Sequence, residues 1–114
     1  MQNRRVLKTL RIPEFNGDMQ SLESEPLQRI AKLLVERVAT GDHVIKKALG
    51  NVKGLGDLRG CWAIKFDLLG YPNRYRLVIR YLPHDFAPTE VLFIAVGPRF
   101  DGQVYKWADA RLNH

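Results

Sequence analysis

The chain of 114 residues contains a single cysteine, Cys61, and no long apolar run. One thiol cannot close a disulfide within the chain, so a reducing cytosol is the expected compartment. No apolar segment approaches the roughly 20 residues that span a bilayer. The basic residues near the N-terminus are not followed by the apolar stretch of roughly 7–15 residues that a secretory signal requires. We therefore expect neither membrane insertion nor secretion.

Acidic residues are scarce relative to basic ones. The chain has 12 Asp and Glu against 18 Lys and Arg, a formal net charge of +6. This balance favours a polyanionic partner, either nucleic acid or an acidic protein, over an anionic membrane. Hydrophobic residues make up 46% of the chain, which is ordinary for a globular protein. The length suits one domain over residues 1–114.

Metal-binding patterns are absent from the sequence. His43, His84 and His114 are scattered over loops and the C-terminus, with no Cys or Asp at ligand spacing. We therefore expect no metal ion and no small-molecule cofactor. Cys61 has no motif histidine nearby that would stabilise a thiolate, so its expected role is packing.

The first half of the chain predicts one strand and one or two helices. Alternating basic and apolar residues over 4–12 indicate a strand that ends at Pro13, followed by either a short helix or an irregular connection. Ser24 is a suitable N-cap for a helix with Pro26 in its first turn and Gly41 at its end. A further turn or two of helix is expected over His43–Leu49, and the glycines of Gly50–Gly60 indicate a loop.

The second half predicts three strands and a short helix. The segments CWAIKFDLL, RYRLVIRYL and VLFIAVG read as consecutive strands, and GQVYKWADARL reads as a terminal helix that begins at Asp101 or Gly102. The order of elements is that of an α+β domain with a largely antiparallel sheet.

The register of these strands brings basic residues together. A hairpin closed by Leu69–Asn73 places Lys65 opposite Arg76, and a second hairpin places Arg99 beside Arg74. Like charges in contact repel, so an anionic ligand is the natural explanation of such a cluster. The alternative is a solvated face whose charge is neutralised by neighbouring acids such as Asp67 and Asp101.

Four segments of the second half, LRGCWAIKF, YRLV, VLFIAVGPR and VYKWADARL, resemble the RelE/ParE toxin superfamily of bacterial and archaeal type II toxin–antitoxin systems. The likeness is strongest to the RelE branch of ribosome-dependent mRNA endonucleases. It implies a fold with the order β-α-(α)-β-β-β-α. Residue by residue, it implies catalytic roles for Lys65, Arg99 and Tyr105 and phosphate binding by Arg76. The branch often has a second lysine two residues before the first, where this sequence has Ala63.

The resemblance implies a cytoplasmic toxin that cleaves mRNA in the ribosomal A site without metal. The 2′-hydroxyl of the RNA attacks the adjacent phosphorus and leaves a 2′,3′-cyclic phosphate; Lys65 or Tyr105 is the candidate base, and Arg99 or Lys65 the candidate acid. The implied partners are a cognate antitoxin, the ribosome and mRNA. Further basic residues are candidates for binding RNA or the ribosome: Lys46, Lys47, Lys53, Arg59, Arg74 and Arg80.

Two other functions remain open. A ParE-like protein would share the fold, bind and poison DNA gyrase, and lack nuclease activity. An inactive relative would only bind an antitoxin, and Ala63 keeps this reading open.

Overall fold

The structure, a computed structural model, describes residues 6–68 and 74–113 and consists of a mixed sheet with helices on both faces. The strands are β1 (Lys8–Arg11), β2 (Lys47–Ala48), β3 (Asn51–Val52), β4 (Gly56–Asp57), β5 (Cys61–Phe66), β6 (Tyr75–Leu82) and β7 (Glu90–Pro98). The helices are α1 (Phe15–Gln20), α2 (Glu25–Ala39) and α3 (Gln103–Asn113), the last preceded by a short 3-10 helix, Phe100–Gly102.

Five strands form the main sheet in the order β1-β7-β6-β5-β2, and β3 pairs with β4 in a small separate hairpin. β1 runs parallel to β7, whereas the pairs β7–β6, β6–β5 and β5–β2 are antiparallel. The predicted α+β architecture is confirmed: an N-terminal strand, two helices, three consecutive antiparallel strands and a C-terminal helix.

The two faces of the sheet have separate cores because side chains alternate along each strand. On one face, α1 and α2 cover the sheet, and Phe15 packs against Phe93 with ring centroids 5.5 Å apart. On the other face, Val104 and Ala108 of α3 pack against Val78 and neighbouring residues. Since α3 has 11 residues, it covers only part of this face. The uncovered part carries the basic residues described below.

Helix α2 forms as the sequence predicts. Ser24 is the N-cap, and its hydroxyl accepts a hydrogen bond from the amide of Leu27 at 3.3 Å. Pro26 lies in the first turn, where its missing N–H removes no helical hydrogen bond. The buried side chains are spaced at three and four residues along one stripe, which faces the sheet: Leu27, Ala31, Val35 and Val38.

Two local predictions are corrected. The segment predicted as helix over His43–Leu49 contains strand β2, whose Lys47 and Ala48 pair with Ala63 and Trp62 of β5. The edge of β5 offers backbone hydrogen-bond partners to this segment, whereas a short isolated helix is only marginally stable. Pairing with β5 therefore outweighs the local preference for helix. The glycine-rich Gly50–Gly60 segment, predicted as loop, contains the β3–β4 hairpin.

The predicted hairpin connection Leu69–Asn73 lies outside the described residues, as does His114. No helix in the described part of the chain is long and apolar enough to cross a membrane.

Candidate functional site

An open cleft lies where β6 and β7 adjoin the start of α3. It has a volume of about 630 Å³, and its lining includes Leu55, Arg74, Arg99, Phe100 and Tyr105. Two predicted catalytic residues, Arg99 and Tyr105, therefore share one cavity with Arg74, a predicted RNA-binding residue. A cavity that combines guanidinium groups with aromatic rings suits a phosphate and an unpaired base.

A tight turn between β7 and α3 positions Arg99. Its amide donates to the carbonyl of Arg74 at 2.8 Å, and its carbonyl accepts from the amide of Gly102 at 2.8 Å. Asp101 and Gly102 both have positive φ, 53° and 67°. A Cβ on Gly102 would lie 2.2 Å from Cδ2 of Leu55, so a larger residue would have to displace the end of that side chain, and the positive φ favours glycine here.

Lys65 and Arg76 lie directly opposite each other on β5 and β6, as the register argument predicts. Their Cβ atoms are therefore roughly 4.5–5.5 Å apart on the same face. Lys65 is exposed, whereas Arg76 is only 5% exposed and donates from Nη1 to the carbonyl of Tyr75 at 2.9 Å. On the other side of β6, Arg76 pairs with Gly97 of β7. The positive charges of Lys65 and Arg76 are therefore neighbours, the first at the protein surface and the second buried.

Carboxylates neutralise only part of this cluster. Within the described residues, neither Lys65 nor Arg99 has an ion-pair partner, and Asp101 forms no ion pair either. Asp67 binds Arg74, with Oδ2 2.9 Å from the Arg74 backbone nitrogen and 3.4 Å from Nε. Burial acts to raise the pKa of Asp67, but hydrogen bonds from backbone amides and from Arg74 more than offset it, so this pKa lies below its usual value.

Two further grooves extend the basic face beyond the cleft. The first, of about 340 Å³, is lined by Ile45, Lys46, Lys47, Ala63 and Lys65. The second, of about 220 Å³, is lined by Lys47 and Tyr105 together with residues of the β3–β4 hairpin. Tyr105 also lines the main cleft. Lys65 is thus connected to Arg99 through grooves that share Lys47 and Tyr105.

Three of the other predicted RNA-binding residues lie on or near the small hairpin. Lys53 is exposed in the turn between β3 and β4. Arg59 forms a bidentate ion pair with Asp57, at 2.8 Å and 2.7 Å, and this contact lowers the pKa of Asp57 to about 2. Arg80 is exposed and packs its guanidinium close to Gly60. None of the three lines the main cleft.

Lys46 is directed differently from Lys47. Its ammonium lies 5.5 Å from the ring centroid of Trp62 and 5.6 Å from that of Tyr81. Both rings belong to the face covered by α1 and α2. Cation–π contacts of this kind hold Lys46 at the sheet edge.

Helix α3, which carries Tyr105, is anchored in its middle and in its last turn. Trp107 packs over Gly97, where an added Cβ would lie 2.6 Å from Cζ3 of the indole. Arg111 forms a bidentate ion pair with Asp18 of α1, at 2.5 Å and 2.8 Å. The ion pair raises the pKa of Arg111. These contacts fix the position of Tyr105 relative to the sheet.

Phe100 is a candidate that the sequence analysis missed. Its side chain is 76% exposed although it adjoins Arg99 in the cleft. The signal available in the sequence was an aromatic residue directly after the GPR segment. The described residues contain no group of three or more His, Cys, Asp or Glu side chains that could hold a metal ion.

No protein-family model matches the sequence, and no curated protein matches it at a significant level. Among solved structures, the chain is similar to E. coli toxin RelE, a double arginine-to-alanine mutant in the free state. The alignment covers 94% of this chain and 98% of RelE, with a TM-score of 0.55 and 22% sequence identity. The chain has a RelE-like fold. In this RelE-like domain, the cleft and the Lys65–Arg76 pair lie on the face that α3 leaves partly open.

Proposed function

We propose that this protein is the toxin of a type II toxin–antitoxin system and cleaves mRNA on the ribosome. The observation that carries the proposal is the cleft in which Arg74, Arg99 and Tyr105 meet, next to the Lys65–Arg76 pair. Lys65 and Arg99 have no acidic partner among the described residues, so a polyanion supplies the missing negative charge. The RelE-like fold adds support from an independent direction.

The chemistry requires no metal. The 2′-oxygen of one nucleotide forms a bond to the adjacent phosphorus while the bond from phosphorus to the 5′-oxygen breaks. A base removes the proton of the 2′-hydroxyl, and an acid protonates the departing 5′-oxygen. The products are a 2′,3′-cyclic phosphate and a free 5′-hydroxyl.

The described residues suit the parts of this reaction. Arg99, which is exposed and lines the cleft, binds the non-bridging oxygens with its planar guanidinium. Arg76, buried on the strand next to Lys65, adds positive charge beside it. Tyr105 and Lys65 are the groups assigned to proton transfer. Phe100 provides a ring on which an unpaired base can stack.

The remaining proposals concern where the protein acts and what it binds. The exposed basic residues outside the cleft, including Lys53 and Arg80, contact ribosomal RNA. The protein acts in the cytoplasm of a bacterium or archaeon. A cognate antitoxin covers the basic cleft with an acidic or amphipathic segment, or displaces α3.

The test is translation in vitro with the purified protein, followed by mapping of the message ends. Wild-type protein should yield fragments with cyclic phosphate ends. Arg99→Ala and Lys65→Ala should each cut about 10²-fold more slowly, because each removes one group that stabilises the transition state or moves a proton. Arg29→Ala is the matched control, since Arg29 is exposed on α2 and paired with Glu25. Intact message together with DNA cleavage trapped on gyrase would replace this proposal with the ParE-like one.

A further inference from the structure

Lys47 lies beside the candidate site on β2, the strand that the sequence did not predict. It pairs directly with Ala63 of β5, and residues paired in this way share a face of the sheet. Ala63 and Lys65 are two residues apart on one strand, so Lys47 and Lys65 are diagonal neighbours on that face, roughly 7–8 Å apart at Cα. The edge strand therefore extends the basic cluster by one ammonium group.

Two of the grooves described above are lined by Lys47. Lys47 and Lys65 line one groove together with Ala63, and Lys47 and Tyr105 line the next. Lys47 is thus the residue shared by the groove that holds Lys65 and the groove that holds Tyr105. A strand of RNA that follows these two grooves from Tyr105 to Lys65 passes it.

The charge of Lys47 is not balanced within the described residues, where it has no ion-pair partner. Ala63, which adjoins both lysines, is small and 4% exposed, so it occupies little of the space above the sheet beside them. Two neighbouring ammonium groups repel each other unless an anion lies between them. The position is therefore suited to a phosphate oxygen.

We infer that Lys47 is a further catalytic residue, whose ammonium binds a non-bridging oxygen of the scissile phosphate above Ala63 and beside Lys65. This inference rests on the proposed function. As the bond from the 2′-oxygen to phosphorus forms and the bond to the 5′-oxygen breaks, negative charge grows on the non-bridging oxygens. Lys47 stabilises this charge and transfers no proton.

The experiment compares single-turnover cleavage of ribosome-bound message with binding of a message that carries a 2′-deoxy nucleotide at the cleavage position. Lys47→Ala should lower the cleavage rate about 10²-fold, as the loss of one transition-state contact does. It should weaken binding of the non-cleavable message less than about tenfold, because a single phosphate contact contributes little to the total affinity. Lys32→Ala, on the exposed side of α2, is the control for loss of one positive charge.

Relocating the charge provides the sharper comparison. Ala63→Lys in the Lys47→Ala background should restore at least about tenfold of the lost rate, because it returns an ammonium to the same groove. Lys47→Arg, which keeps the charge and leaves Ala63 in place, should retain most of the activity. Thermal unfolding of each variant identifies any that fails to fold. If Lys47→Ala fails to fold, the cleavage rate of Lys47→Arg still tests the inference.

The outcomes separate this inference from the proposed function. If Lys47→Ala cleaves like Lys32→Ala while Arg99→Ala is inactive, Lys47 is not catalytic and the nuclease proposal stands. If Lys47→Ala loses binding in proportion to cleavage, Lys47 is a docking residue and the inference is overturned. If the wild-type protein leaves the message intact, the nuclease proposal and this inference both fail.

Discussion

Asp18 and Arg111 form a bidentate ion pair across a sequence separation of 93 residues, and both also bind the backbone of β7. Oδ2 of Asp18 accepts from the amide of Val96 at 3.2 Å, and Nη1 of Arg111 donates to the carbonyl of Ile94 at 2.9 Å. The side chains are 8% and 12% exposed. One ion pair thus joins α1, α3 and the sheet, and it holds in place the helix that carries Tyr105.

We expect Arg111→Ala to lower the free energy of unfolding by about 3 kcal/mol, because it leaves the carboxylate of Asp18 nearly buried without its partner. Urea denaturation followed by circular dichroism measures this change. Arg29→Ala, which removes an exposed partner of Glu25, should cost at most about 0.5 kcal/mol. Equal losses in the two variants would show that the Asp18–Arg111 pair contributes no more than a surface pair.

We expect Gly97→Ala to displace the ring of Trp107, because the new methyl group would lie 2.6 Å from Cζ3. Overpacking of this kind costs about 1–3 kcal/mol of stability. Urea denaturation gives the loss, and the NMR shift of the Trp107 indole N–H reports the displacement. Gly50→Ala is the control, since a methyl group there meets nothing within 4 Å. An unmoved indole resonance would contradict the expectation.

We expect Phe100→Ala to weaken binding of a non-cleavable, ribosome-bound message about tenfold, the loss typical of one base–aromatic stack. Stability should change by less than about 0.5 kcal/mol, because the ring is largely exposed. Phe86→Ala is the matched control: its ring is 95% exposed in the connection between β6 and β7, away from the cleft. If both variants bind equally well, Phe100 does not stack on RNA.

We expect the pKa of Asp57 to be about 2 in the native protein and to rise toward 3.8 in Arg59→Gln, because the hydrogen bonds from Arg59 are the main cause of the depression. A depressed carboxyl pKa contributes stability that is present above 3.8 and is lost as the pH falls toward about 2. NMR titration of the carboxyl carbon measures the pKa.

The control for this titration is Asn113→Ala. Asn113 donates to the backbone carbonyl of Asp57 and not to its carboxylate, so its removal should leave the titration unchanged. A pKa of Asp57 that stays near 2 in Arg59→Gln would contradict the assigned cause.

The sequence was sufficient to predict the part of the site that depends on regular strands. Alternation along β5 and β6 and one short connection determine the pairing of Lys65 with Arg76, and the structure confirms it. The backbone bond from Arg99 to Arg74 likewise follows from the hairpin register. The catalytic roles of these residues stay predictions, to be tested by the variants described above.

Features that arise from tertiary contact were not predictable in this way. Strand β2 has only Lys47 and Ala48, too few residues for a periodic pattern, and it forms because the edge of β5 is available for pairing. The Asp18–Arg111 contact joins single residues from distant segments, and neither has a local motif. The burial of Arg76 was also missed, because alternation gives the face of a residue but not what covers it.

The ion pair between Asp18 and Arg111 also covers backbone groups of β7 that β1 does not reach. β1 pairs with β7 only as far as Phe93, so from Ile94 onward this edge of β7 has no strand partner in the described part of the chain. Open edges are templates on which strands of other molecules add, and they are a common origin of aggregation. Here the two charged side chains occupy the carbonyl of Ile94 and the amide of Val96, so an incoming strand would first have to break a bidentate ion pair.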